Sequence, residues 1–93
     1  MIQFLVHNPE DNVGVAVVDI PAGADCVGRN LENNQQLKAR TAEAVPLGHK
    51  FALKDLSVGE TVTKYGCDIG KIVQAVQAGR HVHTHNLKTK RWA

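Results

Sequence analysis

The sequence contains few aromatic residues. Only four of its 93 residues are Phe, Tyr or Trp, so the hydrophobic core has to be built mainly from aliphatic side chains, among which valine is common. Valine favours strands because its branched Cβ packs well on a pleated surface and loses rotamer freedom in a helix. We therefore expect one small domain in which strands predominate.

Long apolar runs and closely spaced cysteines are also absent. No stretch approaches the ~20 residues of a membrane-spanning helix, and no basic and then apolar leader precedes a cleavage site. Cys26 and Cys67 are far apart and form no CxxC motif. One disulfide is compatible with this spacing, but we favour two buried free thiols in a reducing compartment. We expect a cytoplasmic protein with no membrane partner.

Acidic and basic residues are distributed unevenly. Residues 1–46 carry a net charge of −3 and residues 47–93 carry +5. A basic second half could attract an anionic ligand or an acidic partner, and an uneven solvated surface explains the pattern equally well. Because aromatic residues are not interleaved with the basic ones, we expect no nucleic-acid partner.

One turn pattern occurs three times, at 20–26, 56–62 and 76–82. Each copy has an aliphatic residue three positions before a glycine, a small apolar residue directly before it and an apolar residue three positions after it. In a compact turn of this kind the glycine supplies a positive φ and a strand leaves the turn. Three such units in so short a chain predict an all-β domain.

The remaining segments predict several further elements. An opening hairpin is expected at 2–18 and an exposed polar hairpin tip at 29–36. Residues 41–45 are expected to form one helical turn, and 48–53 an alternating strand. At 69–76 the apolar spacing is helical, but the flanking glycines favour a short strand that runs into a turn.

Three histidines alternate near the end of the sequence, at His81, His83 and His85. The third turn releases its strand at His81, and alternate residues of a strand share one face. Neighbours on that face lie roughly 6.5–7 Å apart, so two imidazoles can converge on one metal ion or one anionic substrate. On a helix the same residues would point in different directions.

Several motifs in fixed order resemble the small N-terminal SAF domain of the altronate/galactarate dehydratase family. They are Gly48-His49-Lys50, Lys64-Tyr65-Gly66 and His81-Val82-His83-x-His85-Asn86. The resemblance extends from Phe4 to about Asn86. It implies an all-β SAF-type β-clip domain with short helical turns at 1–86, followed by a basic tail at 87–93.

The resemblance also implies a lyase that acts by elimination on a small anionic 2-hydroxy acid. The leaving group would be water from an altronate- or galactarate-type sugar acid, or bisulfite from (R)-sulfolactate. A much larger domain normally follows in the family, so we expect here a small subunit that is inactive without a separate large dehydratase or sulfo-lyase subunit. The alternative is a stand-alone, non-catalytic SAF-type module that binds carbohydrate or a sugar acid.

A divalent metal, iron, is implied by the resemblance, bound by the chain itself or only together with the large subunit. An unfilled partner surface would be compatible with a homodimer of the isolated chain.

Elimination next to a carboxylate needs a base, assistance to the leaving group, and cations that stabilise the developing charge. We predict three catalytic histidines, His49, His83 and His85. Four residues are predicted to bind substrate, namely Lys50, Lys64, Arg80 and Asn86. His81, His83 and His85 are predicted as a metal-binding set that a partner completes, whereas His7 is expected to be an ordinary surface histidine.

Overall fold

The computed structural model describes residues 2–8, 11–64, 67–82 and 87–88, with the main chain alone for Lys64, Cys67, Asp68 and Lys88. Within these residues the chain forms strands and no helix, and so no helix that could cross a membrane. The strands are β1 (Phe4–Val6), β2 (Val13–Ala16), β3 (Asp25–Asn30), β4 (Gln36–Arg40), β5 (Lys50–Ala52), β6 (Thr61–Lys64), β7 (Cys67–Ile72), β8 (His81–Val82) and β9 (Leu87–Lys88). The predicted all-β class is confirmed.

The strands form two sheets. The larger has the order β4-β3-β1-β2-β5-β8 and the smaller the order β6-β7-β9. β1 and β3 are parallel, and the other pairs among the described residues are antiparallel. The opening hairpin (β1–β2) and the polar hairpin tip between β3 and β4 are therefore confirmed. β8 is an edge strand of the larger sheet within the described part of the chain.

The glycine turn occurs four times among the described residues, once more than the sequence pattern predicts. Gly23, Gly48, Gly59 and Gly79 have φ between +72° and +87°. A positive φ at the third position is that of a type II turn. The additional turn precedes β5, and its pattern escaped prediction because Leu47 stands where the other copies have a smaller residue.

The four turns associate as two pairs. Ile20 forms an antiparallel bridge with Val45, and Leu56 forms one with Val76. Each turn thus supports the turn that it faces. This pairing replaces the helical turn predicted at 41–45, which was wrong because the chain bends at Ala42 and Glu43 and then enters the additional turn.

Two other boundaries can be compared with the sequence. The segment at 69–76 is a strand that ends at Ile72 and runs into a turn, as favoured. Leu87 and Lys88, which the sequence places in the tail, form β9 and pair with Ile72 and Lys71 of β7. The second sheet therefore extends into the segment assigned to the tail.

Two hydrophobic clusters lie on opposite faces of β5. Phe51 belongs to the first cluster, where its ring packs edge-on against Phe4 with centroids 5.1 Å apart. Ala52 and Val82 belong to the second cluster. Cys26 is a buried free thiol in the first cluster, and burial raises the pKa of its thiol. The strand alternation predicted at 48–53 is thus confirmed.

Candidate functional site

His49 is positioned by the turn that precedes β5. The His49 N–H donates to the Pro46 carbonyl at 3.0 Å, and the Leu47 N–H donates to Asp19 Oδ1 at 2.8 Å. The first bond closes the turn on itself, and the second attaches it to the segment before Ile20. Two hydrogen bonds therefore hold the turn from which the chain continues through His49 into β5.

His81 is positioned in the same way by the turn that precedes β8. The Arg80 N–H donates to the Gln77 carbonyl at 3.1 Å, and the Ala78 N–H donates to Asp55 Oδ1 at 2.8 Å. Asp55 and Asp19 hold equivalent places in the two turn pairs, since each directly precedes a bridging aliphatic residue. The antiparallel register then sets His81 opposite Phe51.

This register brings together two predicted site residues that are far apart in sequence. His49 Nδ1 lies 2.8 Å from His81 Nε2, and the ring centroids are 4.9 Å apart with the planes inclined by 39°. At this separation one imidazole donates a hydrogen bond to the other. Imidazole nitrogens can act as a general base and as metal ligands.

Arg80 and His81 share a partner that the sequence did not predict. Glu43 Oε1 accepts the His81 N–H at 2.7 Å, and Glu43 Oε2 lies 3.4 Å from Arg80 Nη1. The Ala42 N–H also donates to the Gly79 carbonyl at 2.9 Å. Had the additional glycine turn been recognised, no helical turn would have been predicted at Glu43. The contact between Glu43 and His81, however, spans 38 residues and has no local signal in the sequence.

Of the two lysines predicted to bind substrate, Lys50 does not share the face of the histidine pair. Lys50 alternates with His49 and Phe51 along β5, so it lies on the other face of the strand. Lys64 ends β6 in the smaller sheet, and its side chain is outside the described residues. Arg80 is the predicted cation whose described contacts lie directly beside His81.

His83, His85 and Asn86 lie outside the described residues, so their predicted roles stay predictions. Among the residues that are described, no group of three or more His, Cys, Asp or Glu side chains could hold a metal ion. The pair of His49 and His81 supplies two nitrogen donors of a type that suits divalent iron or zinc. However, His49 Nδ1 and His81 Nε2 are 2.8 Å apart, which is a hydrogen-bond distance, so in this arrangement these two atoms share a proton and do not both bind one ion.

The chain is similar to a known protein family and to several known proteins. The family model of the altronate/galactarate dehydratase SAF domain matches residues 2–90. The (2R)-sulfolactate sulfo-lyase subunit alpha of Chromohalobacter salexigens is 47% identical over 92 residues, which are 98% of this chain and 98% of that protein. The subunit alpha of the same name from Paracoccus pantotrophus is 52% identical over 60 residues, 64% of this chain and 90% of its own length.

A longer relative matches through one part of its length. The altronate dehydratase of Escherichia coli is 39% identical over 88 residues, which are 95% of this chain and 17% of that enzyme. The same domain is thus similar both to a small separate subunit and to a segment of a large polypeptide.

Proposed function

Because the chain belongs to the altronate/galactarate dehydratase SAF-domain family, we propose that it is the small subunit of a two-component lyase that acts by elimination on a 2-hydroxy acid. The observation that carries this proposal is the match to a sulfo-lyase subunit alpha over 98% of both chains. A subunit named alpha implies a second, separate subunit. The face that bears His49 and His81 would then be one part of an active site that the large subunit completes.

We propose (2R)-sulfolactate as the first substrate to test. In its elimination the C–H bond beside the carboxylate breaks, its electron pair forms a C=C bond, and the C–S bond breaks with release of sulfite. The remaining enol converts to a 2-oxo acid. Dehydration of an altronate-type sugar acid follows the same course with water as leaving group, and the identity to altronate dehydratase supports it as the second candidate.

The histidine pair would supply the proton transfer. One imidazole accepts the proton beside the carboxylate, while the other, hydrogen-bonded at 2.8 Å, stabilises the charge that develops on its neighbour. Arg80 would attract the substrate carboxylate or sulfonate, because its guanidinium stands next to His81 and is half-exposed. His83 and His85 are proposed as catalytic residues, and Asn86, Lys50 and Lys64 as substrate-binding residues, on the basis of the family motifs.

A divalent metal, iron, is part of this proposal. His81, His83 and His85 would hold it together with ligands of the large subunit, and His81 would use the ring nitrogen that does not face His49. When bound, the metal would act as a Lewis acid toward the substrate oxygens. The residues of this chain would still have to bind the anionic substrate and move the proton. The buried free thiol of Cys26 supports a reducing, cytoplasmic setting for the enzyme.

The test is reconstitution with the large subunit. The chain and its large subunit are co-purified. Release of sulfite from (2R)-sulfolactate and formation of the 2-oxo acid from altronate are then measured for the complex and for each subunit alone. We expect activity only in the complex. His49→Ala, His81→Ala, His83→Ala and His85→Ala should each lower kcat by about 100-fold or more.

His7→Gln is the matched control, since His7 directly follows β1 and its main-chain N–H donates to Asp11 Oδ2, and its variant should keep the wild-type rate. Full activity of the isolated chain, or wild-type rates in the histidine variants, would contradict the proposal. Binding of a sugar acid to the isolated chain without metal, measured by calorimetry, together with no activity of the complex, would instead support a stand-alone binding module.

A further inference from the structure

Glu43 occupies a distinctive place beside the histidine pair. It lies in the bend before the turn that leads to His49, and its carboxylate contacts the beginning of the strand that carries His81. It therefore touches the two chain segments whose relative position decides whether the imidazoles meet.

The bond to His81 acts on the main chain of an edge strand. Among the described residues β8 pairs with β5 through Lys50 with Val82 and Phe51 with His81, and the Ala52 N–H donates to the Arg80 carbonyl directly before β8. The His81 N–H is donated to Glu43 Oε1, and at 2.7 Å this is a short hydrogen bond to a carboxylate. Bonds of this charge-assisted kind are roughly twice as strong as neutral ones. Glu43 thus stands where a further strand would otherwise pair with β8.

The second contact of Glu43 is weaker. The Arg80 guanidinium lies 3.4 Å from Oε2, and the two side chains are 48% and 38% exposed. Half-exposed ion pairs of this kind contribute little to stability. The main-chain bond to His81 is therefore the contact through which Glu43 acts most strongly.

We propose that Glu43 is a positioning residue for the proposed reaction: it fixes the main chain at His81 so that His81 Nε2 stays in hydrogen-bond contact with His49 Nδ1. This inference rests on the proposed function for its effect on catalysis. Its structural part concerns the isolated chain alone and can be tested without any substrate.

Glu60 provides a matched control for Glu43. Glu60 Oε1 accepts a main-chain N–H, from Ser57 at 3.1 Å, and Glu60 Oε2 lies 3.5 Å from Lys54 Nζ. Glu60 thus combines the same two kinds of contact in the turn before β6, which carries neither His49 nor His81. Replacing it removes equivalent interactions at a place where they do not position the imidazoles.

The first experiment measures the nuclear Overhauser effect between the His49 and His81 ring protons in the isolated 93-residue chain. We expect it in the wild type, in Glu60→Ala and in Glu43→Gln, whose amide oxygen still accepts the His81 N–H. In Glu43→Ala it should fall to background. An effect of wild-type intensity in Glu43→Ala would overturn the proposal. If that variant does not fold, Glu43→Asp, which is shorter by one methylene, replaces it with the same expectation.

The second experiment measures kcat and KM in the complex with the large subunit. Glu43→Ala should lower kcat by about 10- to 100-fold with KM within about 2-fold, while Glu60→Ala and Glu43→Gln should stay within about 3-fold of the wild type. An equal loss in Glu43→Gln would show that the ion pair with Arg80 is what matters and would overturn the proposal. An inactive wild-type complex would refute the proposed function, and the ring contact would still decide the role of Glu43.

Discussion

Gly79 lies where the turn before β8 packs against the main chain of residues 40–42. Its φ of +86° belongs to the left-handed region, which side chains with a Cβ rarely adopt. A Cβ at this position would also lie 2.3 Å from the Arg40 carbonyl oxygen and 3.0 Å from the Ala42 nitrogen. Two separate physical reasons therefore require glycine two residues before His81.

A comparison with Gly59 separates these two reasons. Gly59 has nearly the same φ, +87°, but a Cβ there would meet no atom within 4 Å among the described residues beyond its chain neighbours. Gly59→Ala should lower the free energy of unfolding by about 1–2 kcal/mol through backbone strain alone. Gly79→Ala should lower it by about 3 kcal/mol or more, because the main chain at Arg40 has to move. Urea unfolding of both variants measures the difference, and equal losses would mean that the close approach has no energetic weight.

At the scale of elements, the site depends on paired turns rather than on long strands. β5 and β8 have three and two residues, respectively. Hydrogen bonds between such short strands leave much of the positioning of His49, directly before β5, and of His81, at the start of β8, to the turns. Asp19 and Asp55 each accept a main-chain N–H from the facing turn at 2.8 Å. In both turn pairs an aspartate thus accepts this hydrogen bond at the same structural position, directly before the aliphatic residue that bridges the two turns.

Removal of either aspartate should loosen the turn that leads to a site histidine. Asp55→Ala and Asp19→Ala should each lower the free energy of unfolding by about 1 kcal/mol, the usual worth of one hydrogen bond. The Asn variants should lose less, because the amide oxygen still accepts the bond.

Asp25→Ala is the control for this pair. Asp25 is 87% exposed and its carboxylate lies 3.7 Å from Arg40 Nη1, a contact that contributes little in water. Thermal and urea unfolding should show no measurable change for it. If Asp25→Ala and Asp55→Ala lowered the free energy of unfolding equally, the cause would be the loss of a negative charge and not the loss of the hydrogen bond to the turn.

At the scale of the whole molecule, Asn12 joins the two sheets. Its side-chain amide donates to the Thr61 carbonyl at 3.0 Å, and its Oδ1 accepts the Thr63 N–H at 2.9 Å. Its main chain also bonds to Thr63 and to Leu53. Asn12, a buried residue next to β2, thus forms hydrogen bonds with main-chain groups at the edge of β6. These hydrogen bonds hold the smaller sheet to the larger one, together with the second hydrophobic cluster.

Asn12→Ala should weaken this connection selectively. Two main-chain groups of β6 lose their partners, which we expect to cost about 2 kcal/mol. Hydrogen exchange should then accelerate more for the amides of β6 and β7 than for those of β1 and β3. Asn33→Ala, at the exposed hairpin tip where the described hydrogen bonds of Asn33 are to Gln35, should leave both sets unchanged. Uniform acceleration in Asn12→Ala would contradict a connecting role.

Much of the fold followed from local sequence. Alternating aliphatic residues determined the strands, and the glycine turns marked where strands begin, because positive φ and burial are requirements of single residues and their neighbours. The family followed as well, since its motifs occupy fixed positions in this chain and the family model matches residues 2–90. The exceptions were the segment at 41–45, where a larger side chain before Gly48 concealed the fourth turn, and Leu87 and Lys88, which form β9.

The tertiary structure alone decided how the site is assembled. His49 and His81 are 32 residues apart, and they meet because β5 and β8 pair in one particular register. Glu43 reaches His81 across 38 residues for the same reason. Such contacts depend on packing between distant segments, which no local pattern specifies. The sequence by itself determined the glycine turns and the family motifs that contain His49 and His81, and the fold decided that His49, His81 and Glu43 lie in contact.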